Sequence, residues 1–431
     1  MVDQCIVFTE GAGALVEVCG ISILERLLRT LQRCGFRSAI ILSRTPELLG
    51  DHISRPSWAR LDLTVTVCKS SSEAATASDI AEVWPERQPA LLLVKGNAVL
   101  DPRLLRLLAS QNETSALVDS AVPPDIGPLV ASAPKTKRGE FTGIALIQYE
   151  WTKKQSGPIE SALVAGLEQG DVITIDVADQ PVYSTSLRRE MRPFWFFAPS
   201  PSTKATAERI LLNAAQKGAL DIPAWIHAPI EKFLISYLCQ TPITPNQLTI
   251  GCNVVAWVAT ALLATGHLNW GIGLALIVGI LDGLDGKQAR VKMETTKKGK
   301  IEHWFDAFFE WSWWIALAFH FRVSGELPDA FIYLGLLILG EGLDAVAKGL
   351  ILFRTGRIID ELGAFERVVR LIGGRRNVYI WILAIALMLG APAKGFVTMA
   401  WLEIATAAVH LPRAVWTLSR LREQRQPVSL D

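Results

Sequence analysis

The stretch DGLDGKQARVKMETTKKGKIEHWFDAFFE, residues 282–310, joins two long apolar runs and decides how the whole chain is interpreted. Asp282 and Asp285 stand at the end of the first run, and Asp306 and Glu310 lie at the start of the second. Acidic side chains in apolar segments of membrane length are costly to bury, so they indicate a functional site by default.

The spacing of these acidic residues favours two carboxylate pairs. Asp282 and Asp285 are three residues apart, and Asp306 and Glu310 are four apart, so each pair shares one face of a helix. Four carboxylates brought together repel one another unless cations neutralise them, and hard cations such as Mg²⁺ or Mn²⁺ prefer oxygen ligands. A two-metal carboxylate site suits displacement at phosphorus, because it holds both the attacking and the leaving oxygen.

Composition divides the chain into a soluble front and an apolar back. Half of the 431 residues are hydrophobic, and repeated apolar runs of membrane-spanning length fill residues 248–417. The net charge of +1 gives no reason to expect a nucleic-acid partner. The six cysteines include no CxxC pair, which is typical of free thiols in a reducing compartment. No signal peptide pattern opens the chain, so we expect the front to stay in the cytoplasm.

Short β-type runs alternate with helical patterns through residues 1–190, which predicts an α/β fold with a mostly parallel sheet. The predicted strands are CIVFTE (5–10), SAIILS (38–43), LTVTVC (63–68), ALLLVKGN (90–97), SALVDS (115–120), GIALIQ (143–148) and VITIDV (172–177).

This order resembles the nucleotidyltransferase-like family of sugar-nucleotide pyrophosphorylases, which implies a Rossmann-like fold. The resemblance rests on the Gly-containing turn after the first strand, ISILERLLRTLQRCGF (21–36), LLLVKGNAVLD (91–101) and FTGIALI (141–147). No Lys or Arg precedes Arg26, although the family carries an Arg in its Gly-rich loop. Asn97 stands where the family has a metal-binding Asp, and an amide is a poorer Mg²⁺ ligand. We therefore expect a degenerate domain that kept the fold and lost nucleotidyl transfer.

Residues 191–246 join this domain to the membrane part, which we place at 247–425. The basic and aromatic stretch LRREMRPFWFF (187–197) fits either a segment lying on anionic headgroups or a solvated linker. Residues 224–240, AWIHAPIEKFLISYLCQ, mix apolar, aromatic and charged side chains, which predicts an interfacial juxtamembrane helix.

The apolar runs predict an all-α domain of six transmembrane helices, each near the ~20 residues that cross a bilayer. Lys and Arg concentrate in the loops after the second and the fourth span, so the positive-inside rule places those loops and both termini in the cytoplasm. We expect an integral protein of the cytoplasmic membrane with its active site facing the cytoplasm. The predicted spans are 247–265, 269–286, 300–321, 328–353, 377–393 and 396–418.

The string DGLDGKQAR (282–290) matches the start of the CDP-alcohol phosphotransferase signature, and ITPNQLT (243–249) also resembles that family. The resemblance implies a six-helix membrane fold. It also implies transfer of a substituted phosphate from a CDP-alcohol to a hydroxyl acceptor, with release of CMP. One arrangement known in the family joins an inositol-phosphate cytidylyltransferase to such a transferase.

The end of the signature departs from the family pattern, because His303 and Ala307 stand where two Asp residues are expected. An insertion of three residues gives Asp306 and Glu310 instead, whereas a deletion of one gives Glu302 and Asp306. We favour the first alignment, because Phe305 before Asp306 reproduces the family's aromatic-Asp context.

The resemblance then implies a role for each matched residue, with two Mg²⁺ or Mn²⁺ ions as cofactor. Glu310 and Asp306 are the candidate catalytic residues, with Glu310 as base or metal ligand. The expected partners are a CDP-alcohol donor, a lipid or polyol-phosphate acceptor and the lipid bilayer, with a homodimer left open. The candidate metal ligands are Asp282, Asp285, Asp306 and Glu310, and the candidate CDP contacts are Gly286, Ala289, Arg290, Thr244, Pro245 and Asn246.

Several alternatives stay open on sequence alone. Arg375 and Arg376 fit an acceptor phosphate site or simply the topology of the loop. Glu341 and Asp344 either line the cavity or pair with Lys348 one turn on. For the whole chain, the alternatives are a non-catalytic membrane protein with a binding module in front, and a cation transporter that uses the intramembrane carboxylates.

Overall fold

The computed structural model divides into two compact units. Unit 1 comprises Met1–Lys217, Ile235–Pro242 and Lys287–Thr295, and unit 2 comprises Gly218–Leu234, Ile243–Gly286 and Thr296–Asp431. The structure describes the chain except for residues 1, 10, 56–57, 59–61, 73, 87, 220, 295–298 and 424–431, and it leaves out the side chains of 11, 299–307 and 421–423.

Strands occur in unit 1. Labelled β1 to β14 in chain order, they are Gln4–Thr9, Glu17–Val18, Ile21–Ser22, Ser38–Ser43, Thr64–Lys69, Ala90–Lys95, Ala98–Leu100, Ser115–Asp119, Lys135–Thr136, Gly139–Gln148, Ile173–Asp176, Tyr183–Ser184, Arg189–Glu190 and Trp195–Phe197.

Helices occur in both units, and short 3₁₀ turns lie at Gly11–Leu15, Gly127–Leu129 and Ile359–Glu361. Labelled α1 to α15 in chain order, the α-helices are Ile23–Arg33, Pro46–Ile53, Ala77–Glu82, Pro102–Ala109, Tyr149–Thr152, Ile159–Gln169, Lys204–Ala214, Pro223–Leu238, Pro245–Ala264, Leu268–Val291, Gly299–Ser324, Ala330–Thr355, Ala364–Ile372, Arg376–Met388 and Pro392–Glu423.

The main sheet of unit 1 confirms the predicted α/β fold. Its strands follow the order β11-β8-β10-β6-β1-β4-β5, and β9 pairs with the edge of β10. Strand β1 is parallel to β4 and β6, whereas β10 runs antiparallel to β6 and β8. Each of the seven predicted strands is present. Four of the seven strand pairings described for this sheet are parallel, so the expectation of a mostly parallel sheet is correct.

Both faces of this sheet are covered, which explains why its strands read as near-continuous apolar runs. On β1, Val7 packs into a cluster with Leu28 of α1 on one face. The next residue, Phe8, packs on the other face with Ile80 of α3 and Leu163 of α6. Successive side chains of a strand point to opposite faces, so a strand buried on both sides needs apolar residues at every position.

Unit 1 also contains Lys287–Thr295, a segment that begins within the 282–290 motif. Arg26 of α1 is buried and donates to the carbonyls of Val18, at 3.2 Å, and Val291, at 2.5 Å. Arg29, also buried, forms ion pairs with Glu25 of the same helix and with Glu294 at 3.5 Å. These buried arginines are paired or hydrogen-bonded, as burial of a charge requires.

Among the residues that the structure describes, unit 2 has three helices that are each long and apolar enough to cross a membrane: α9, α10 and α12. They coincide with the first, second and fourth predicted spans. Helices α11 and α15 cover the third and the sixth, and their passage through a membrane stays a prediction. In α15, Glu403, His410 and Arg413 interrupt the apolar sequence.

The fifth span was predicted as one continuous segment at 377–393, and this was wrong. Helix α14 has 13 residues, which gives about 20 Å at 1.5 Å per residue and is too short for a bilayer core of about 30 Å. It reaches spanning length only together with α13, and the two helices are bent by 41° at the break between them. The bend falls at Gly373-Gly374, so α13 and α14 form a broken span or a re-entrant loop.

Candidate active site

The carboxylate of Asp285 lies near the end of α10 and is held by a neighbouring helix. The hydroxyl of Thr249, one turn into α9, donates to Asp285 Oδ2 at 2.6 Å. The backbone N–H of Gly286 donates to the other oxygen, Oδ1, at 2.5 Å. Thr249 was not among the residues predicted for the site, although it belongs to the quoted ITPNQLT stretch. The signal that could have identified it is a hydroxyl side chain at the start of an otherwise apolar helix.

Asp282, one turn earlier on α10, forms an ion pair with Arg376 at the start of α14. The guanidinium of Arg376 also lies over the ring of Phe309 on α11, 4.9 Å from its centre. Side chains from three helices therefore meet around Asp282. The sequence leaves Arg376 open between an acceptor phosphate site and the topology of a basic loop, and it does not predict this pairing with a motif aspartate.

Glu310 follows Phe309 on α11 and is partly buried. Arg376 and Asp282 are among the charged groups close enough to act on its carboxyl. The structure thus brings Glu310 into the surroundings of the first carboxylate pair. The side chains of Asp306 and of its rival candidate Glu302 lie outside the described residues.

The motif residues Gly286, Ala289 and Arg290 continue along the last turns of α10. Arg290 donates from Nε to the carbonyl oxygen of Ala215 at 2.6 Å, and both residues belong to unit 1. A guanidinium carries five N–H donors, so one hydrogen bond to a carbonyl is compatible with a role toward a phosphate.

Thr244, Pro245 and Asn246 form the start of α9. Thr244 is the N-cap: its hydroxyl accepts from Gln247 N at 3.3 Å, and the Gln247 side chain accepts from Thr244 N at 2.9 Å. Pro245 occupies the first helical position, where its missing N–H costs nothing. The side chain of Thr244 therefore has a structural use that sequence alone did not reveal.

The acidic residues of α12 have specific partners. Asp344 Oδ2 is 2.5 Å from Lys348 Nζ one turn on, which is the pairing alternative left open by the sequence. Asp344 Oδ1 also contacts His410 Nδ1 at 2.5 Å. Glu341 accepts a hydrogen bond from Trp311 Nε1 at 2.8 Å. These contacts make Asp344 part of the packing between α12 and α15.

In unit 1, Lys95 and Asn97 of the LLLVKGNAVLD stretch differ in how their polar groups are paired. The side-chain oxygen of Asn97 is buried and has no hydrogen-bond partner among the described residues. Lys95, two residues earlier, forms an ion pair with Glu160 at 2.9 Å and lies over the ring of Phe197. Its charge is therefore already compensated within the domain.

The donor set around α10 fits a divalent cation by its chemistry. Asp282, Asp285 and Glu310 offer only oxygen ligands, which Mg²⁺ prefers. Thr249 orients the carboxylate of Asp285, and Arg376 balances the charge of Asp282. Among the residues with described side chains, no three acidic, His or Cys groups are close enough to hold a metal ion. A complete ligand set thus requires Asp306 or another residue outside that part of the chain.

Comparison with known proteins identifies a family model that matches the helical part of the chain. Residues 242–411 match the family model of CDP-alcohol phosphatidyltransferases, which covers the motif and the helices around it. Enzymes of this family generally use divalent metals, and the apolar helices together with this match indicate an integral membrane protein.

Relatives resemble the whole chain or one part of it. A bifunctional IPC transferase and DIPP synthase from Rubrobacter xylanophilus is 23% identical over 452 aligned positions, which cover 95% of this chain and 92% of that protein. A phosphatidylinositol phosphate synthase from Corynebacterium glutamicum is 29% identical and covers 26% of this chain and 50% of that protein. The inositol-1-phosphate CTP transferase from T. maritima is 15% identical, with coverage of 48% and 94% and a TM-score of 0.35.

Proposed function

Residues 242–411 form a CDP-alcohol phosphatidyltransferase domain, and we propose that it moves a substituted phosphate from a CDP-alcohol to a polyol-phosphate acceptor, with release of CMP. The observation that carries this proposal is the pair of motif aspartates on α10. Thr249 holds Asp285 and Arg376 pairs with Asp282, and these contacts support a role for both carboxylates in the reaction.

The reaction requires one bond to form and one to break at the phosphorus that carries the alcohol. The acceptor hydroxyl oxygen attacks this phosphorus, and the bond to the CMP oxygen breaks with its electron pair, so CMP leaves. We assign Glu310 as the base that accepts the hydroxyl proton. Asp282, Asp285, Asp306 and Glu310 would hold two Mg²⁺ ions, whose charge would stabilise the phosphate oxygens.

The CDP part of the donor is assigned to the residues that follow the aspartates on α10. Gly286 and Ala289 have small side chains that allow close approach of a ligand, and Arg290 suits a pyrophosphate because its donors form a planar fork. Thr244, Pro245 and Asn246 at the start of α9 are assigned to the nucleotide pocket by resemblance to the family.

The acceptor phosphate is assigned to Arg375 and Arg376. Arg376 stands beside Asp282, and a second cation precedes it, so an anionic acceptor would be held next to the reacting phosphorus. The relatives include a phosphatidylinositol phosphate synthase, which supports an acceptor of the inositol-phosphate class. By the charge of the loops, we place this site at the cytoplasmic face of the membrane.

The test uses the full chain, purified in detergent with Mg²⁺. It is mixed with CDP-diacylglycerol or CDP-inositol as donor and with inositol 1-phosphate or a dialkylglycerol as acceptor. We expect CMP release that needs divalent metal and one donor–acceptor pair, with the coupled phosphodiester identified by mass spectrometry.

Two results would reject the proposal. Absence of CMP release with every pair would favour a non-catalytic membrane protein. Metal-dependent ion flux in proteoliposomes without CMP release would favour a cation transporter that uses the same carboxylates.

A further inference from the structure

Unit 2 contains a buried polar cluster on α14 and α15 that does not belong to the motif on α10. Its members are Tyr379 of α14 and Glu403 and Thr406 of α15, and each is at most 4% exposed. The Tyr379 hydroxyl donates to Glu403 Oε2. A carboxylate at this depth in an apolar helix is costly, so its presence calls for a function and a partner. We call these three residues the turn anchor.

The turn anchor contacts the backbone at the bend between α13 and α14. Gly374 N donates to the Thr406 hydroxyl at 2.8 Å, and Thr406 itself donates to the Leu402 carbonyl. A Cβ placed on Gly374 would overlap both the Glu403 carboxylate and the Tyr379 hydroxyl. The backbone of this turn therefore lies directly against the turn anchor, and a side chain at position 374 would have to displace the Glu403 carboxylate and the Tyr379 hydroxyl.

The same turn leads immediately into the two arginines. Arg376 pairs with Asp282 and lies over Phe309. Arg375 Nε is 3.5 Å from Asp221 Oδ2, and Asp221 is buried and also accepts from Ala224 N at 2.9 Å. The arginine pair is thus held by acidic partners on one side, and its backbone is fixed by the turn anchor on the other.

We propose that Tyr379, Glu403 and Thr406 are positioning residues that set the affinity for the acceptor phosphate by fixing the Gly373–Arg376 turn. The inference rests on the proposed function, in which Arg375 and Arg376 bind that phosphate. Displacement of a binding group by about 1 Å is enough to weaken catalysis strongly, so a loosened turn should act mainly on the acceptor.

The central comparison is Thr406→Val against Thr406→Ser. Valine has nearly the shape of threonine but cannot accept the N–H of Gly374, whereas serine keeps the hydroxyl. A second pair is Tyr379→Phe, which removes the hydroxyl that donates to Glu403, and Glu403→Gln, which keeps an oxygen that can accept from the Tyr379 hydroxyl. The control is His410→Gln, which removes a buried hydrogen bond on α15 away from the turn.

The full chain in detergent is assayed for CMP release with inositol 1-phosphate as acceptor, and KM is measured separately for acceptor and donor. We expect Thr406→Val and Tyr379→Phe to raise the acceptor KM about tenfold, as loss of one buried hydrogen bond would. The donor KM should change by less than about twofold. Thr406→Ser and Glu403→Gln should keep most of the acceptor affinity of the unsubstituted protein.

Three outcomes would overturn the inference. The first is an unchanged acceptor KM in Thr406→Val and Tyr379→Phe while Arg376→Gln raises it, which leaves the proposed function intact. The second is an equal change in both KM values that His410→Gln reproduces, which indicates a general packing role. The third is an inactive unsubstituted protein, which removes the proposed function as well. Size-exclusion profiles identify any variant that fails to fold. The KM values of the remaining variants then test whether the turn anchor acts on the acceptor.

Discussion

Each motif aspartate has a partner that lies far from it in sequence. The spacing of Asp282 and Asp285 is local, so the sequence predicts their shared helix face. Thr249 and Arg376 lie 36 and 94 residues away from the aspartates they contact. Which side chains meet such a pair depends on how the helices pack, and no periodic pattern in one sequence encodes that contact.

The identity of the fourth carboxylate separates two alignments of the motif. We predict that Glu310→Gln lowers the rate of CMP release by at least about 100-fold, because it removes the proposed base. Glu302→Gln should lower the rate by less than about threefold, since the residue lies one helical turn before Asp306 and outside the favoured alignment. Steady-state rates of both variants under saturating donor and acceptor decide the matter. A greater loss in Glu302→Gln would select the other alignment.

A residue of unit 1 provides a prediction on pH. Asp79 caps α3, and although burial opposes its ionised form, hydrogen bonds from Thr76 and Ser71 outweigh this and lower its pKa to about 2. A lowered pKa stabilises the fold above the unfolded value of about 3.9, and this contribution is lost as the pH falls toward about 2.

We therefore predict that Asp79→Ala destabilises α3 by about 1 kcal/mol at neutral pH, and that the difference narrows at pH 2.5. Hydrogen exchange of the α3 amides in the full chain measures the effect against the unsubstituted protein at both pH values. An equal loss of protection at neutral and acid pH would contradict the ionic origin of the contribution.

At the scale of elements, the sheet of unit 1 could be predicted, whereas the break between α13 and α14 could not. The strands are marked by short apolar runs bounded by turns, which is a local signal. The apolar residues of α14 suggested a normal span, but Thr406 and Glu403, about 30 residues later, hold the Gly373-Gly374 bend. Tertiary contacts thus override a hydropathy pattern.

The bend provides a prediction on stability. Gly374→Ala should destabilise unit 2 by roughly 2 kcal/mol, since its Cβ would overlap Glu403 and Tyr379. Gly349→Ala is the matched control, because the space around that helical glycine is open and alanine favours a helix. Thermal unfolding in detergent should show a lower midpoint for the first variant and an equal or higher midpoint for the second. Equal midpoints in both variants would mean that the turn adapts.

The α/β domain in front provides a prediction on activity. Lys95 is paired with Glu160, and the Gly11–Leu15 turn has no basic side chain. Asn97 stands where the resemblance to the nucleotidyltransferase-like family implies a metal-binding Asp. We predict that the full chain releases no pyrophosphate from CTP with inositol 1-phosphate and Mg²⁺, whereas an active sugar-nucleotide pyrophosphorylase assayed in parallel does so with its own substrates. Sustained release that disappears in Asn97→Ala would show that the domain is active.

At the scale of the whole molecule, an α/β fold and an apolar helical domain share one chain. The change in composition after residue 190 makes this division visible in the sequence, and the motif at 282–290 assigns the chemistry of the second part. If the front domain were active, it would supply a CDP-alcohol to the helical domain. If it is degenerate, as its residues suggest, the donor must come from a separate cytidylyltransferase reaction.

The rate of CMP release by Asp285→Asn in the full chain tests most directly whether the motif carboxylates form the active site. The variant keeps the size of the side chain and its contact partner Thr249, but it removes the carboxylate charge. Asp329→Asn, an exposed residue at the start of α12 without a capping hydrogen bond, is the control. We predict a loss of at least about 1,000-fold for Asp285→Asn, comparable with removal of a group essential to the transition state, and an unchanged rate for the control. Activity of Asp285→Asn equal to that of the unsubstituted protein would contradict the assignment of the site.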